Sequence, residues 1–521
     1  VTRAFDIAIV GSGFAGSLLA MIARRLGHSV VLVERGKHPR FAIGESSTPL
    51  ASLLLEKLAR DFELPEIAPF SKWGTWQKSH PEIIGGLKRG FTFFHHQLKQ
   101  PWSANSERTN ELLVAASPHD GIADAHWLRA GFDEFFAQQA SAMGAELIEE
   151  ATLTAADFSE SFPVLSGTHG GRPLKIRARF VIDASGPRGF LHRALGLSEL
   201  AFGSMPPTES LYTHFTGVHR WDSMHSTPET TPYPVDDAAV HHVFDGGWIW
   251  VLRFNNGITS AGVVATAAMA APLRFHEGAE AWERLIAGFP SVQEIFASAK
   301  PARAFIHAPR LAFRSSVAAA ANWAMLPSAA GFVDPLLSTG IPLTLLGVAR
   351  LAEFLKNPWD APDRDAGLAR YSRDTLRELD ATAALVGALH GQMHDFEMFA
   401  ALTMLYFAAA SFAETAQRLD QPELASSFLL LDRPDFTSSM QHCLEAAQGP
   451  IRGKARQAFF RSATAALDPI NLARLGDPAR RNWYPALATD LLAAAPKLGV
   501  DRVAIERLLD RCGFAAVNPS Q

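Results

Sequence analysis

An α/β fold with an inserted sheet-rich region and a helical C-terminal part is predicted by three observations. An apolar run of strand length, Phe5 to Val10, leads into Gly11-Ser12-Gly13-Phe14-Ala15-Gly16; a Leu- and Ala-rich stretch and a second β-branched run ending on Glu34 follow. Strand-to-glycine turns return much later, at Asp183-Ala184-Ser185-Gly186 and between Ala330 and Gly340. Residues 203–265 are strand-like, whereas from Asp363 onward Ala and Leu recur at helical spacing.

The first motif is G-x-G-x-x-G between a strand and a helix. Gly11 permits the tight turn, Gly13 lets a pyrophosphate approach the backbone, and Gly16 lets the helix pack on the strand. The helix start offers unpaired N–H groups to phosphate charge. Glu34 is placed to accept hydrogen bonds from a ribose 2′-hydroxyl, so the ligand carries no phosphate there. Both strands, the helix and the acid together point to a dinucleotide site.

Bulk properties narrow the class. The 521 residues suggest about three domain-sized units. With 48% hydrophobic and 19% charged residues the composition is that of an ordinary globular protein. A net charge of -5 without a basic cluster argues against a nucleic-acid surface. The two cysteines, Cys443 and Cys512, form no disulfide framework, and a cytoplasmic location is expected. A strand at residue 5 leaves no room for a signal peptide, and the apolar run Ala401 to Ala413 is too short to span a bilayer.

Taken in order, Arg35 to Arg40 is a basic loop, and Leu50 to Phe62 a Leu-rich helix. Residues 63–87 are loop-like, and Arg89 to Gln97 alternates as a strand. A helix is expected from His126 to Met143, then a strand to Ile148, and single strands over Thr152 to Ser166 and Leu174 to Asp183. A helix over Glu277 to Ala287, a short strand at Trp323 and a helix from Ile341 to Leu355 follow. Asn357 to Pro362 is the clearest linker. The expected organisation is a discontinuous nucleotide-binding domain over 1–200, with a β-rich insert near 70–115 and a return at 315–357. A β-rich substrate domain fills 201–314 and a helical region 358–521.

Several stretches together carry a resemblance. Gly11, Gly13, Gly16 and Glu34, then Gly44-Glu45-Ser46-Ser47-Thr48-Pro49, Arg129, Asp183-Ala184-Ser185-Gly186 and Asp334-Pro335 match a motif series. Leu87-Lys88-Arg89-Gly90-Phe91-Thr92-Phe93 and Trp248-Ile249-Trp250-Val251 extend it. Over residues 5 to about 355 the chain resembles the flavin-dependent halogenases of the FAD-monooxygenase superfamily, closest in flavour to those acting on free phenols. The resemblance implies an FAD-binding fold of the aromatic-hydroxylase type and a halogenase. Its FAD contacts would be Gly11, Gly13, Phe14, Ala15, Gly16, Glu34, Arg35, Arg129, Asp334 and Gly340. Reduced FAD, O2 and chloride or bromide would yield hypohalous acid, handled by Lys88. Thr339 and Gly340 would hold the halide, and Trp248, Trp250, Phe93 and His95 would border the arene. The wider superfamily leaves a flavin hydroxylase, or another FAD oxidoreductase acting on an aromatic, polyketide or isoprenoid, as the alternative reaction.

The residues bear separate reading. Alone, a lysine beside an arginine before a strand is a solvated cation; buried, it can visit both protonation states and polarise or capture hypohalous acid. Ser338-Thr339-Gly340 opens a helix, so its backbone N–H groups form an anion nest or hold the flavin's edge. Trp248 and Trp250 fall on one face of a strand, as a pocket wall or as core. Two positions depart from the halogenase pattern. Arg253 stands where W-x-W-x-I-P has proline, and Leu337 where tryptophan-type members carry a glutamate. Leu337 takes up no proton, which disfavours free tryptophan and favours a phenol, whose own O–H activates the ring.

The pairs His95-His96 and His241-His242 point their members to opposite faces of a strand, so no metal site is expected. A second G-x-G-x-x-G for a nicotinamide is missing, and FADH2 is expected from a separate flavin reductase. Phe396, Phe399, Met404, Tyr406, Phe407 and Phe412 read as helix core, some of them capping the arene pocket.

Overall fold

The computed structural model describes residues 3–160, 162–225 and 229–514. The N-terminal unit forms as its pattern dictates. Strand β1 (Arg3–Val10) enters helix α1 (Phe14–Arg25), which returns to β2 (Val30–Val33), with the strands pairing in parallel from Ile7 opposite Val30. Ten consecutive residues of α1, Phe14 to Ala23, are buried, because the helix is covered by sheet on one side and helix on the other. The glycine turn works by close approach. Gly11 has φ +101°, and a Cβ on Gly16 would lie 2.1 Å from the Gly11 carbonyl oxygen. Any side chain there would push α1 off β1.

Four further strands and a hairpin complete an eight-stranded sheet. Its order runs Ala319–Ala320, Trp323–Met325, Arg172–Asp183, β1, β2, Glu146–Ile148. The long strand Arg172–Asp183 pairs with β1 in parallel, so the turn at Asp183 emerges beside Gly11. The single strand expected over 152–166 is instead a hairpin of Ala151–Asp157 and Val164–His169; Ser161 lies outside the described residues.

The second sheet has nine strands. One of them, β4 (Gly90–His95), follows β3 (Gly85–Lys88) directly. β3 pairs antiparallel with β5 (Asp124–Trp127), and helix α2 (Arg129–Ala142) starts only after it. The helix expected from His126 therefore begins three residues later, because 124–127 is held as strand by non-local pairing. In the large sheet β4 runs beside β6 (Ala239–Phe244), then β7 (Gly247–Arg253), Ile258–Thr266 and Thr208–Thr216. Strand Glu111–Ala115 and the late strand Trp483–Tyr484 extend the β4 edge. Segment 70–115 thus shares its sheet with 208–266.

The C-terminal half is helical from α3 (Gly340–Leu355) through α4 (Arg364–Gly391) and α5 (Phe396–Arg418). The helix holding Ala401 to Ala413 has 23 residues, longer than the apolar run suggested. By length and composition, α5 and the stretch 336–355 could cross a membrane, but their apolar windows are 78% and 72% buried in the protein. Phe399 and Phe407 of α5 pack on Phe93 and Phe91 of β4, which places this helix over one face of the large sheet.

Candidate active site

One cavity of about 840 Å³ runs from the first glycine turn to the large sheet. Gly11, Gly13, Phe14, Ala15, Glu34, Arg35 and Arg129 line one end; Trp248, Trp250, Asp334, Thr339 and Gly340 line the other. Gly16 lies behind the wall, as its packing contact requires. The volume is that of a small-molecule site at the C-terminal ends of parallel strands.

At the first end Glu34 is buried and accepts from the backbone N–H of Ser12 at 3.1 Å and of Gly36 at 2.9 Å, and from Arg40 at 2.9 Å. Burial pushes its carboxyl up, but Arg40 and these N–H groups outweigh that and hold it below its ordinary range. Arg129 donates to both oxygens of Asp133 at 2.8 Å and to the carbonyls of Ile43 and Gly44 at 3.0 Å. It ties α2 to the loop before Glu45. A Cβ on Gly13 would lie 3.3 Å from an Arg129 nitrogen, so glycine keeps this cationic floor open. A cradle without side chains, an acid at the ribose position and a guanidinium beneath fit the dinucleotide half of FAD.

At the other end the backbone does the work. The carboxylate of Asp334 accepts from Leu336 N–H at 2.8 Å and pairs with buried His390 at 2.9 Å. It therefore fixes the turn, and what the turn presents to the cavity is its backbone. Leu337 and Ser338 both adopt positive φ, 63° and 55°, in conformations costly for side-chain-bearing residues. Tyr406 of α5 holds this shape by donating to the Leu337 carbonyl at 3.0 Å. Gly340 then opens α3 with nothing within 4 Å of where a Cβ would sit, so the first N–H groups of the helix meet open cavity.

Lys88 is fully buried, and its Nζ donates to Ser46 Oγ at 2.9 Å and to the Ser47 carbonyl at 2.5 Å. Ser46 lines the cavity, so the ammonium lies one side chain behind the wall. The Phe91 ring is 3.8 Å away and supplies a cation–π contact. Burial pulls the lysine well below its ordinary range, and Asp124 pulls it partly back. The tryptophans share a face as alternation demands, 5.8 Å apart, and both line the cavity. Phe93 and His95 do not. Phe93 is buried behind His241 at 4.5 Å, and His95 bonds to the Met393 carbonyl and stacks on Phe396. The substrate-pocket roles expected for these two are corrected accordingly: both pack beneath α5.

Two lining residues had no role in the sequence reading. His241 stacks on Trp248 at 5.1 Å, and its Nδ1 donates to the Ala239 carbonyl, leaving Nε2 as the acceptor. Burial, then the charge of Lys88, pushes it down to about 3. Glu45 is buried and accepts from His214 at 2.8 Å, while its second oxygen has no protein partner. The G-E-S-S-T-P segment was the only sequence signal for it. Arg253, at the departing position, clamps a neighbouring loop: it donates to Asp236 at 2.8 Å and to the Val218 and His219 carbonyls. Among the described residues no cluster of three or more His, Cys, Asp or Glu could hold a metal.

A glycine cradle for a dinucleotide, joined through one cavity to a wall of indoles and a buried lysine, defines a flavin-dependent oxidoreductase. The chain belongs to the tryptophan halogenase family, whose model matches residues 92–395, more than half of its length. An NAD(P)-binding Rossmann-like domain model matches residues 9–56. The chain is 26% identical to monodechloroaminopyrrolnitrin halogenase PrnC of Pseudomonas fluorescens over 411 residues, 77% of this chain and 70% of that one. It is 28% identical to tetracycline 7-halogenase of Kitasatospora aureofaciens over 356 residues, 66% of this chain and 61% of that one. Among solved structures, halogenase PltM in complex with phloroglucinol and FAD superposes with a TM-score of 0.80. The identity is 25%, covering 92% of this chain and 99% of that one. The protein is an enzyme of the flavin-dependent halogenase type, with FAD as cofactor and halogenation of an aromatic compound as its class of reaction.

Proposed function

We propose that the enzyme chlorinates or brominates a phenolic small molecule, using FADH2 from a separate flavin reductase, with Lys88 delivering the halogen. The observation that carries this reading is the position of Lys88, buried without a direct carboxylate partner and one serine behind the cavity wall. Nothing about solubility or surface charge explains a lysine there. Bound as FADH2 with O2 and halide, the flavin supplies hypohalous acid. The residues of the chain do the rest. The N–H groups at Thr339 and Gly340 hold the halide at the start of α3, where the helix dipole favours an anion. Glu34, Arg35 and Arg129 moor the far end of the cofactor. Trp248 and Trp250 wall the arene from the flavin. Lys88 donates a hydrogen bond to the hypohalous oxygen, or as a free amine takes the halogen, the O–halogen bond breaking and the oxygen leaving as water with the amine's proton. Either way the electrophile is held in a fixed position rather than released.

A phenol is favoured because the residue before Ser338-Thr339-Gly340 is Leu337, fully buried and unable to accept the ring proton. A phenolic O–H loses its own proton as the ring is attacked. The phloroglucinol in the PltM complex is such a ring. The test is Lys88→Ala, assayed with FAD, a reductase, NADH, bromide or chloride and a panel of phenols, indoles and pyrroles. Halogenation is expected to fall at least about 100-fold, as when a positioned proton-transfer group is lost, while flavin oxidation by O2 continues. Full activity of Lys88→Ala, or a product from tryptophan and from no phenol, defeats the proposal.

A further inference from the structure

Lys88 is not alone on its strand pair. In the two-stranded sheet, Lys88 of β3 lies directly opposite Asp124 of β5. Directly paired residues in an antiparallel ladder share a face, with Cβ atoms about 5 Å apart. Asp124 is 5% exposed and Lys88 0% exposed. One Asp124 oxygen accepts from Ser52 of the helix Pro49–Asp61 at 2.8 Å, while the other is buried and has no hydrogen-bond partner among the described residues. The ammonium uses two of its three N–H groups, on Ser46 and Ser47. A free donor and a free acceptor are thus buried on one face of the same sheet. Neither group alone would be tolerated there as an ion, since an unpaired buried charge costs several kcal/mol.

We propose that Asp124 is the counter-charge of Lys88, the residue that sets whether the lysine meets the halogen as ammonium or as amine. Asp124 lies outside the cavity lining and touches neither flavin nor arene, so it is a positioning residue acting through Lys88. The other charged or titratable groups nearby do not replace it. His126 of β5 and His241 of β6 are both pushed down to about 3 by burial and by the lysine itself, and stay neutral. Glu414 and Arg418 of α5 act on Asp124 with opposite signs, and the Tyr406 hydroxyl is pushed up and uncharged. Burial raises the Asp124 carboxyl, and Lys88 then lowers it, as Asp124 raises Lys88. The charge of each therefore depends on that of the other.

This inference rests on the halogenation reading above, and the test separates the two. Asp124→Asn keeps the shape and removes the charge, so Lys88 loses its proton at lower pH. The limb of the halogenation pH profile governed by the lysine is expected to move toward acid by about one to three pH units. If the alkaline limb moves, ammonium is the working form; if the acid limb moves, it is the amine. Ser52→Ala leaves both ionisable groups in place but stops holding Asp124 ionised. It should move the same limb the same way by less. Both variants are measured with phloroglucinol and bromide, beside FAD affinity and O2-dependent flavin oxidation, which should stay as in the parent. If Lys88→Ala is inactive but both variants keep the parental profile, Asp124 has no such role and the halogenation reading stands. If Lys88→Ala stays active, the halogenation reading itself fails, and this one with it.

Discussion

At the scale of single residues, side chains of one formal charge do opposite jobs. Lys88 is held with two hydrogen bonds and a ring face, in surroundings that weaken its hold on a proton. Arg253, at the other end of β7 from Trp248, is a brace. Its guanidinium spans Asp236, whose side chain is 1% exposed, and two loop carbonyls. A guanidinium suits this because its fork reaches several acceptors at once. Replacing a proline of the halogenase pattern by this arginine therefore alters loop attachment and leaves the cavity lining as it is. Arg253→Ala leaves the buried Asp236 carboxylate with the Asp222 N–H at 3.0 Å and Arg220 at 4.0 Å as its remaining partners. It should cost about 3 kcal/mol of stability, read as a lower denaturant midpoint, with FAD affinity unchanged. A midpoint equal to the parent would show that Arg220 takes over the pairing.

At the scale of elements, the turn before α3 depends on a helix that arrives some 60 residues later in the chain. Leu337 and Ser338 hold positive φ, and Tyr406 of α5 pins the carbonyl between them. Tyr406→Phe leaves that carbonyl without its donor in a buried place, which costs about 1–3 kcal/mol. With the halide held at Thr339 and Gly340 as proposed, the expected result is a several-fold rise in the KM for halide. An unchanged halide KM would show that the turn keeps its shape without the tyrosine. Such dependence explains what could be read in the sequence. Gly11 to Gly16, Glu34 and the tryptophan alternation were legible because each is a local pattern whose geometry follows from spacing. So were the helices beginning near Leu50 and Ile341. The strand Asp124–Trp127 was not, since only its pairing with Gly85–Lys88 keeps it extended. Without that pairing, Asp124 could not be seen to face Lys88. The Glu45–His214 contact joins residues 169 apart, beyond any local pattern. Phe93 and His95 were assigned to the pocket from the resemblance and their place on the strand after Lys88, and neither says that α5 covers that face.

At the scale of the whole molecule, the large sheet separates two apolar interiors, and neutral imidazoles sit in both. His241 faces the cavity side; His242, its neighbour on β6, faces the outer core of Phe94, Trp221 and Phe289. There His96 Nε2 and His242 Nδ1 meet at 3.0 Å, and the remaining nitrogen of each ring is buried without a partner among the described residues. Burial pushes His96 down to about 3 and His242 well below its ordinary range. Each is neutral in the fold but takes up a proton once unfolded below about pH 6.5, where free imidazole titrates. The stability they allow is therefore complete above that pH and is lost as pH falls from about 6.5 toward 3. Each ring contributes a slope of about 1.4 kcal/mol per pH unit in that window. Replacing both by phenylalanine removes the buried nitrogens together, so the cost at pH 7 should be small, within about 1 kcal/mol. The gain appears in acid. Between about pH 6 and 4 the double variant should lose stability more slowly than the parent by about 3 kcal/mol per pH unit. Denaturant unfolding at stepped pH measures the difference directly. Parallel curves for parent and variant would mean that these imidazoles already hold protons in the folded protein.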